Sequence, residues 1–339
     1  MRHEARLMSE SDFSPYLKKC CFSKENDSLY VLLDDSICRI DLKTGKYENC
    51  CMVPDGYGKE IIFFKGLLCL DNKLYLQKEV DKPGLFVYDL IAREGIEYSL
   101  LAPNKKMLIS HMMVANNTWI AVISRTFDEI VLINRENNDV SVLDDIKGHI
   151  ISSIQERGYD FEFIRYMDYF FENDVLWLNV NAVDKDIFIK VSFPAFELVD
   201  VIDADLSGQH YGLYIDGRYL YFQNDYENEN SIVKYNLESG NIEKVFSING
   251  KCETRGDIYG FGDNTVLVLR DGTILGLNKT KSSYDFVEKN AFVQGVLDDE
   301  GKLLLVKKDG VHIWNVIDNT QRTIQFSALK MFIDEIALC

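Results

Sequence analysis

The sequence predicts an all-β protein, a single β-propeller of about seven four-stranded blades, and three observations carry that reading. A hairpin-and-turn unit recurs: an apolar strand, a tight polar turn, then a second strand that runs into Asp or Asn and often Thr-Gly or Ser-Gly. Strand periodicity dominates, with short β-branched and aromatic runs broken by turn residues at intervals of roughly ten residues. Helix signals are nearly absent; the two segments that carry any are Glu4 to Glu10 and Asp144 to Gly158.

The clearest copies begin at Leu29 (LYVLLDDSICRIDLKTGKYENC), Leu74 (LYLQKEVDKPGLFVYDLIAREG), Leu220 (LYFQNDYENENSIVKYNLESGNIEKVFSI) and Leu303 (LLLVKKDGVHIWNVIDNTQRTIQF). Laid on a four-strand template, the chain divides into units 17–52, 60–101, 107–143, 160–202, 210–248, 255–290 and 291–327. Six of these place a short polar residue after the third strand: Asp41, Asp89, Asn134, Asn236, Asn278 and Asn315. Such a side chain accepts hydrogen bonds from backbone N–H groups of its own turn, a structural role. The fourth unit has VSFPAFELVDVI from Val191 instead and is the degenerate one, which leaves six or eight blades open as counts.

One closed domain spanning 1–339 is expected. The chain holds five prolines and lacks any Gly/Ser-rich linker or low-complexity tract that would mark a boundary. Residues 1–16 read as an N-terminal extension. A propeller with an open ring would expose two long sheet edges, and the segment 328–339, which contains KMFIDEIALC from Lys330, has the alternation of a ring-closing strand.

Once the repeat is set out, VHIWNVIDNTQRTIQF from Val311 to Phe326 resembles the third and fourth strands of a WD-type repeat. SIVKYNLESGNIEKVF and SICRIDLKTGKYEN resemble the same hairpin in the broader propeller superfamily that includes PQQ-like and YVTN-like repeats. The Gly-His that opens a WD repeat is missing, and Trp314 is followed by Asn315 in place of Asp. The resemblance therefore implies the architecture and not a particular family. Propellers of this kind serve as interaction platforms or, less often, as lyases, lactonases and dehydrogenases, so the fold does not choose among them.

Charge narrows the partners. With 54 acidic and 37 basic residues the chain carries a formal charge of -17, and no long Lys/Arg cluster offsets it. Binding a nucleic-acid backbone or an anionic membrane needs a positive footprint, so neither is expected. Cationic or neutral protein and peptide partners remain, against the simpler account that an acidic surface serves solubility. The N-terminal residues hold no apolar run of signal-peptide length, and no run of 18 apolar residues occurs, so a cytoplasmic protein is expected. Eight cysteines, four of them in the vicinal pairs Cys20–Cys21 and Cys50–Cys51, fit reduced thiols acting as small apolar groups.

No catalytic, cofactor or metal motif emerges. GxSxG, GxGxxG and GxxxxGK[ST] are absent. The histidines His3, His111, His149, His210 and His312 form no HxH or HExxH pair, although His111 and His210 open first strands, which in a propeller can line the channel. DADLSG, Asp203 to Gly208, starts like a calcium loop, but Tyr214 stands where the bidentate carboxylate should be, and an interblade turn is the better account. Cys38, Cys50 and Cys51 share one expected blade, yet strand alternation sends vicinal side chains to opposite faces.

The site that stands out is the central hairpin turn QNDYENENS, expected to be longer than a two-residue loop. There Asp225, Tyr226, Glu227 and Glu229 would project from one rim, able to grip a basic peptide, against the alternative of a solvated tip. The sequence therefore reads as a non-catalytic scaffold that binds protein or peptide and needs no cofactor. The alternative is a propeller enzyme of lyase, lactonase or glycan-processing type, or a small-molecule sensor, with its site in the central channel.

Overall fold

A computed structural model describes residues 20–23, 25–33, 36–54, 67–78, 84–99, 110–124, 127–160, 166–181, 186–226, 229–248, 256–261, 264–269, 274–278, 283–288, 292–298, 301–307 and 310–325. The expected N-terminal extension, the helix signal at Glu4 to Glu10 and the expected ring-closing strand lie outside these residues.

Among the described residues, twenty-eight strands form seven four-stranded sheets. Sheet 1 holds β1 (Cys20–Ser23), β2 (Ser28–Leu33), β3 (Ser36–Asp41) and β4 (Tyr47–Met52). Sheet 2 holds β5 (Leu67–Leu70), β6 (Lys73–Lys78), β7 (Gly84–Asp89) and β8 (Glu94–Ser99). Sheet 3 holds β9 (Ser110–Ala115), β10 (Trp119–Ser124), β11 (Ile130–Asn134) and β12 (Val140–Leu143), and helix α1 (Ile146–Glu156) follows it. Sheet 4 holds β13 (Tyr166–Glu172), β14 (Val175–Asn181), β15 (Asp186–Ser192) and β16 (Leu198–Ile202). Sheet 5 holds β17 (Gln209–Asp216), β18 (Tyr219–Tyr226), β19 (Glu229–Asn236) and β20 (Ile242–Ile248). Sheet 6 holds β21 (Gly256–Phe261), β22 (Asn264–Leu269), β23 (Ile274–Asn278) and β24 (Ser283–Glu288). Sheet 7 holds β25 (Phe292–Asp298), β26 (Lys302–Lys307), β27 (Gly310–Asn315) and β28 (Thr320–Gln325).

Every sheet is a meander in sequence order, drawn from one continuous stretch of chain, which is the blade of a β-propeller. The seven stretches coincide with the seven units read from the repeat. The fourth unit is not degenerate: Val175–Asn181 and Asp186–Ser192 pair over seven residues, and β15 pairs onward with β16. The helix signal at Asp144 to Gly158 is α1, which buries Ile150 and Ile154.

Chain contacts divide the protein into two compact units, one built around sheets 1, 2 and 7 and the other around sheets 3 to 6. In the first unit β1 approaches both β5 and β25, so sheet 1 lies between sheets 2 and 7. Its two faces are buried by different partners. One apolar cluster joins Tyr30, Ile37 and Cys51 to Leu67, Leu74, Leu76 and Phe86 of sheet 2. The other joins Leu29, Ile40 and Leu42 to Leu304, Val311 and Ile324 of sheet 7. In the second unit β17 approaches β13 and β21, and sheet 5 packs on sheets 4 and 6 through Leu220, Phe222 and Val233 on one side and Tyr221, Ile232 and Leu267 on the other.

Burial on both faces explains the composition of the strands. Second strands such as WIAVIS are almost wholly buried, whereas the outer strand β12 carries the pattern exposed, exposed, half-buried, half-buried. Fourth strands are the more exposed ones: TQRTIQ is mostly polar, and Met52, Ile96, Val140, Val199 and Ile242 stand exposed on others. These strands end each sheet, and polar side chains there blunt an open edge.

The polar residue after the third strand caps its turn as expected. Side-chain oxygens of Asp41, Asp89, Asn134, Asn236 and Asn315 each accept the backbone N–H groups two and three positions on. The residue four positions on adopts a left-handed backbone: Gly45, Arg93, Asn138, Gly240 and Asn319. This is why the repeat so often reads Thr-Gly or Ser-Gly, because glycine enters that region without a Cβ penalty. Sheet 4 builds the same turn from Ser192, whose Oγ accepts the Glu197 N–H, with Phe196 as the left-handed residue. The side chain of Asn278 lies outside the described residues.

Arg93 and Phe196 hold that conformation at a cost that glycine avoids. Arg93→Gly is expected to raise stability by about 0.5–1 kcal/mol, and Asn236→Ala to lower it by about 1 kcal/mol through the loss of two turn hydrogen bonds. Equilibrium urea unfolding of the two variants checks both signs.

Candidate functional site

The hairpin singled out in the sequence is the tip of β18 and β19. Tyr226 pairs with Glu229 and Asp225 with Asn230, so the strands run further than expected and leave a two-residue tip. The expected longer loop is thereby corrected: each residue of QNDY finds a ladder partner in ENSI, and pairing wins over an open turn. Asp225 is exposed, and Gln209 of β17 pairs with it from the other side. Glu227 lies outside the described residues, as do the side chains of Tyr226 and Glu229. β17, β18 and β19 are each eight residues long against six for β2, β6 and β10, an excess of about 7 Å of extended chain.

In a meander alternate connections emerge on one rim, so the connections β10–β11, β12–β13, β16–β17 and β18–β19 of the second unit share theirs. Asp128, Asp144, Asp145, Asp205 and Asp225 stand exposed along it, and Asp203 is half-buried. Its two described cations are both engaged by aspartates: Lys147 Nζ lies 2.8 Å from Asp128 and Arg157 Nη1 lies 3.1 Å from Asp200. Asp203 Oδ1 accepts the Asp205 N–H at 2.8 Å, which makes DADLSG the interblade turn that its sequence indicates. Among the described residues no group of three or more His, Cys, Asp or Glu side chains is placed to hold a metal ion.

Beneath this rim lies a polar junction around His210, a histidine that the sequence places at the start of a first strand; its partners Asp186 and Asn179 are not singled out there. His210, fully buried at the start of β17, is fixed to sheet 4 through its backbone: its N–H donates to Asp186 Oδ2 at 2.6 Å and its carbonyl accepts from Asn179 Nδ2 at 2.5 Å. The imidazole is stacked 5.4 Å from Phe188 and tilted 4.7 Å from Phe222, and neither ring nitrogen has a hydrogen-bond partner among the described residues. Burial lowers its pKa to about 4, with Asp203 opposing the shift. A readable signal was present in the repeat. LYLQ, LWLN and LYFQ each end on an amide, Gln77, Asn179 and Gln223, and all three are buried at the same place in their second strands.

A second link joins sheet 5 to its neighbours through Tyr214. Its ring meets Phe170 of sheet 4 edge-on at 5.5 Å, and its hydroxyl donates to the Gly260 carbonyl of sheet 6 at 2.8 Å. Among the other histidines, His312 is buried with Nδ1 3.0 Å from Thr323 Oγ1, and His149 is exposed on α1. The side chain of His111 and the whole of His3 lie outside the described residues.

Among the described residues, Cys21, Cys38, Cys50, Cys51 and Cys69 form no disulfide. Cys21, Cys51 and Cys69 belong to the apolar cluster between sheets 1 and 2, with Cys50 half-buried against it. The ladder between β3 and β4 slips between Ile37 and Cys38, so Cys51 pairs with Ile37 and Cys38 with Asn49, leaving Cys50 as the extra residue of a bulge. Burial pushes Cys50 up to about 11, Cys51 to about 12 and Cys69 to about 11. At neutral pH such groups stay protonated and are poor nucleophiles.

No family model and no curated protein matches the sequence. Solved structures do: that of Kluyveromyces lactis Hsv2p aligns with a TM-score of 0.53 at 13% identity, covering 89% of this chain and 94% of that one. KlAtg21, in complex with the coiled coil of AgAtg16, aligns with a TM-score of 0.55 at 12% identity, covering 90% and 95%. The β-propeller domain of Myceliophteria thermophila Cps50 (Swd1) aligns with a TM-score of 0.55 at 12% identity, covering 87% and 96%. At such identities the likeness shows the fold alone, and that fold is the β-propeller expected from the repeat.

The buried imidazole makes stability depend on pH. With a folded pKa near 4 and an ordinary value of 6.5, His210 favours folding fully above pH 6.5, and that contribution is lost as pH falls towards 4. The loss should reach roughly 2–3 kcal/mol near pH 4.5. In His210→Phe, which keeps the backbone bonds and the aromatic stack, the fall in unfolding free energy between pH 7 and 4.5 should be smaller by that amount.

Proposed function

We propose that this protein is a non-catalytic propeller scaffold and that the acidic rim of its second unit captures a cationic segment of a partner protein or peptide. The observation that carries the reading is the long hairpin of β18 and β19 carrying exposed Asp225, set among Asp128, Asp144, Asp145 and Asp205 on one rim whose described cations are both held by aspartates. A surface of this kind raises the encounter rate of a positively charged partner and rejects phosphate backbones.

The turn at Asp203 supports the same reading, since its Oδ1 accepts the Asp205 N–H and so holds part of this rim in one geometry, which lowers the ordering cost of binding. KlAtg21 in complex with a coiled coil is a solved example of a similar chain with a protein partner. A cytoplasmic location is part of the proposal, supported by the thiols packed in the apolar cluster of sheets 1 and 2.

The test is stopped-flow association of the full chain with the partner recovered by affinity capture. Between 50 and 500 mM salt the association rate should fall at least tenfold, and the pair Asp225→Lys and Glu229→Lys should slow it at low salt by a similar factor with dissociation little changed. A rate indifferent to ionic strength and to both charge reversals would sink the proposal.

A further inference from the structure

A groove of about 550 Å³ lies in the first unit where sheet 1 packs on sheet 7. Its floor is apolar, made by Phe22, Leu42 and Ile313. Lys43, Lys302 and Arg322 stand on its walls, a gathering of cations on a chain whose formal charge is -17. We propose that this groove is a second binding site, of opposite sign to the acidic rim, for a short extended peptide segment carrying an apolar side chain followed by carboxylates.

The dimensions suit an extended chain. The sheet 7 wall runs from Lys302 on β26 to Arg322 on β28, two strand spacings or roughly 10 Å, which is the length of about three extended residues. The volume falls in the range of ordinary ligand clefts, apolar surface with a few convergent polar groups.

Electrostatics select an acidic occupant. The two carboxylates of the lining are already engaged. Asp318 accepts from the Thr320 N–H at 3.0 Å, Thr320 Oγ1 at 2.6 Å and Asn315 Nδ2 at 3.2 Å, and Asp27 Oδ2 pairs with Lys43 Nζ at 2.6 Å. Arg322 Nη2 donates to the Lys43 carbonyl at 2.8 Å, and no carboxylate among the described residues pairs with its guanidinium. That planar fork remains available for bidentate capture of a carboxylate. The Lys43–Asp27 pair is exposed and weakly held, so an incoming carboxylate can recruit the ammonium. The apolar floor beside these groups takes the neighbouring side chain.

Fluorescence anisotropy of a labelled Leu-Leu-Glu-Glu peptide against the full chain tests this, with Leu-Leu-Lys-Lys as control. Saturable binding of the glutamate peptide alone is expected, weakened about tenfold in Arg322→Glu and by a smaller factor in Arg322→Lys, which keeps the charge but loses the fork. Asp27→Asn, which frees Lys43, should tighten binding a few-fold and guards against misreading an unfolded variant, as does an unchanged melting temperature. Equal binding of the lysine peptide, indifference to Arg322→Glu in a folded variant, or displacement of the peptide by equimolar free glutamate would overturn the peptide site.

Discussion

Everything else in this fold depends on burying both faces of each four-stranded sheet against a neighbour. A lone meander has two apolar faces and cannot pay for its own ordering. The decisive instance is sheet 1, which is packed on one side by the next sheet in the chain and on the other by the last, through Leu29, Ile40 and Leu42 against Leu304, Val311 and Ile324. No strand is shared across that seam among the described residues, because each sheet draws its four strands from one stretch. The meeting of the first and last sheets therefore rests on side-chain packing and on hydrogen bonds such as Arg322 to the Lys43 carbonyl.

The same requirement shapes the surfaces. Faces are buried, so variable chemistry is confined to rims and to the grooves between neighbouring sheets. Asx-capped turns repeat one geometry after the third strands, and Asn179 and Asp186 tie the first strand of sheet 5 to the preceding sheet through the backbone of His210. On such a frame the acidic rim of the second unit and the cationic groove of the first can differ in sign without disturbing the core. If both proposed sites bind, their opposite charges would discriminate between partners by repulsion as much as by attraction.

Much of the architecture was legible in the sequence because the repeat is written in local signals. Strand alternation and the cap residues Asp41, Asp89, Asn134, Asn236 and Asn315 depend on a few adjacent positions, so all seven sheet boundaries could be read. Sheet 4 misled because it makes the same backbone turn with Ser192, whose Oγ accepts the Glu197 N–H and not the two N–H groups an Asp or Asn would take, and a serine after a strand carries no special weight. The length of the β18–β19 hairpin was hidden because polar Asn and Glu pair as well as apolar residues when the partner strand continues. The His210 junction and the groove at the seam are products of packing between stretches distant in sequence. Only the place of His210 at the start of a first strand and the recurring amide of LYLQ, LWLN and LYFQ hinted at the first, and nothing local links Lys43 to Arg322.

The claim that the first and last sheets are joined by direct packing is most sharply tested at Gly45. This residue has φ +71°, and a Cβ there would stand 2.9 Å from Cγ2 of Ile324 on the last sheet. A double-mutant cycle of Gly45→Ala and Ile324→Ala, read by urea unfolding, measures that contact. If the seam exists as described, Gly45→Ala costs at least about 0.5 kcal/mol less in the Ile324→Ala background than in the wild type, because truncation removes the collision while the backbone strain remains. Additive effects would contradict the account and show that the two ends of the chain do not pack there.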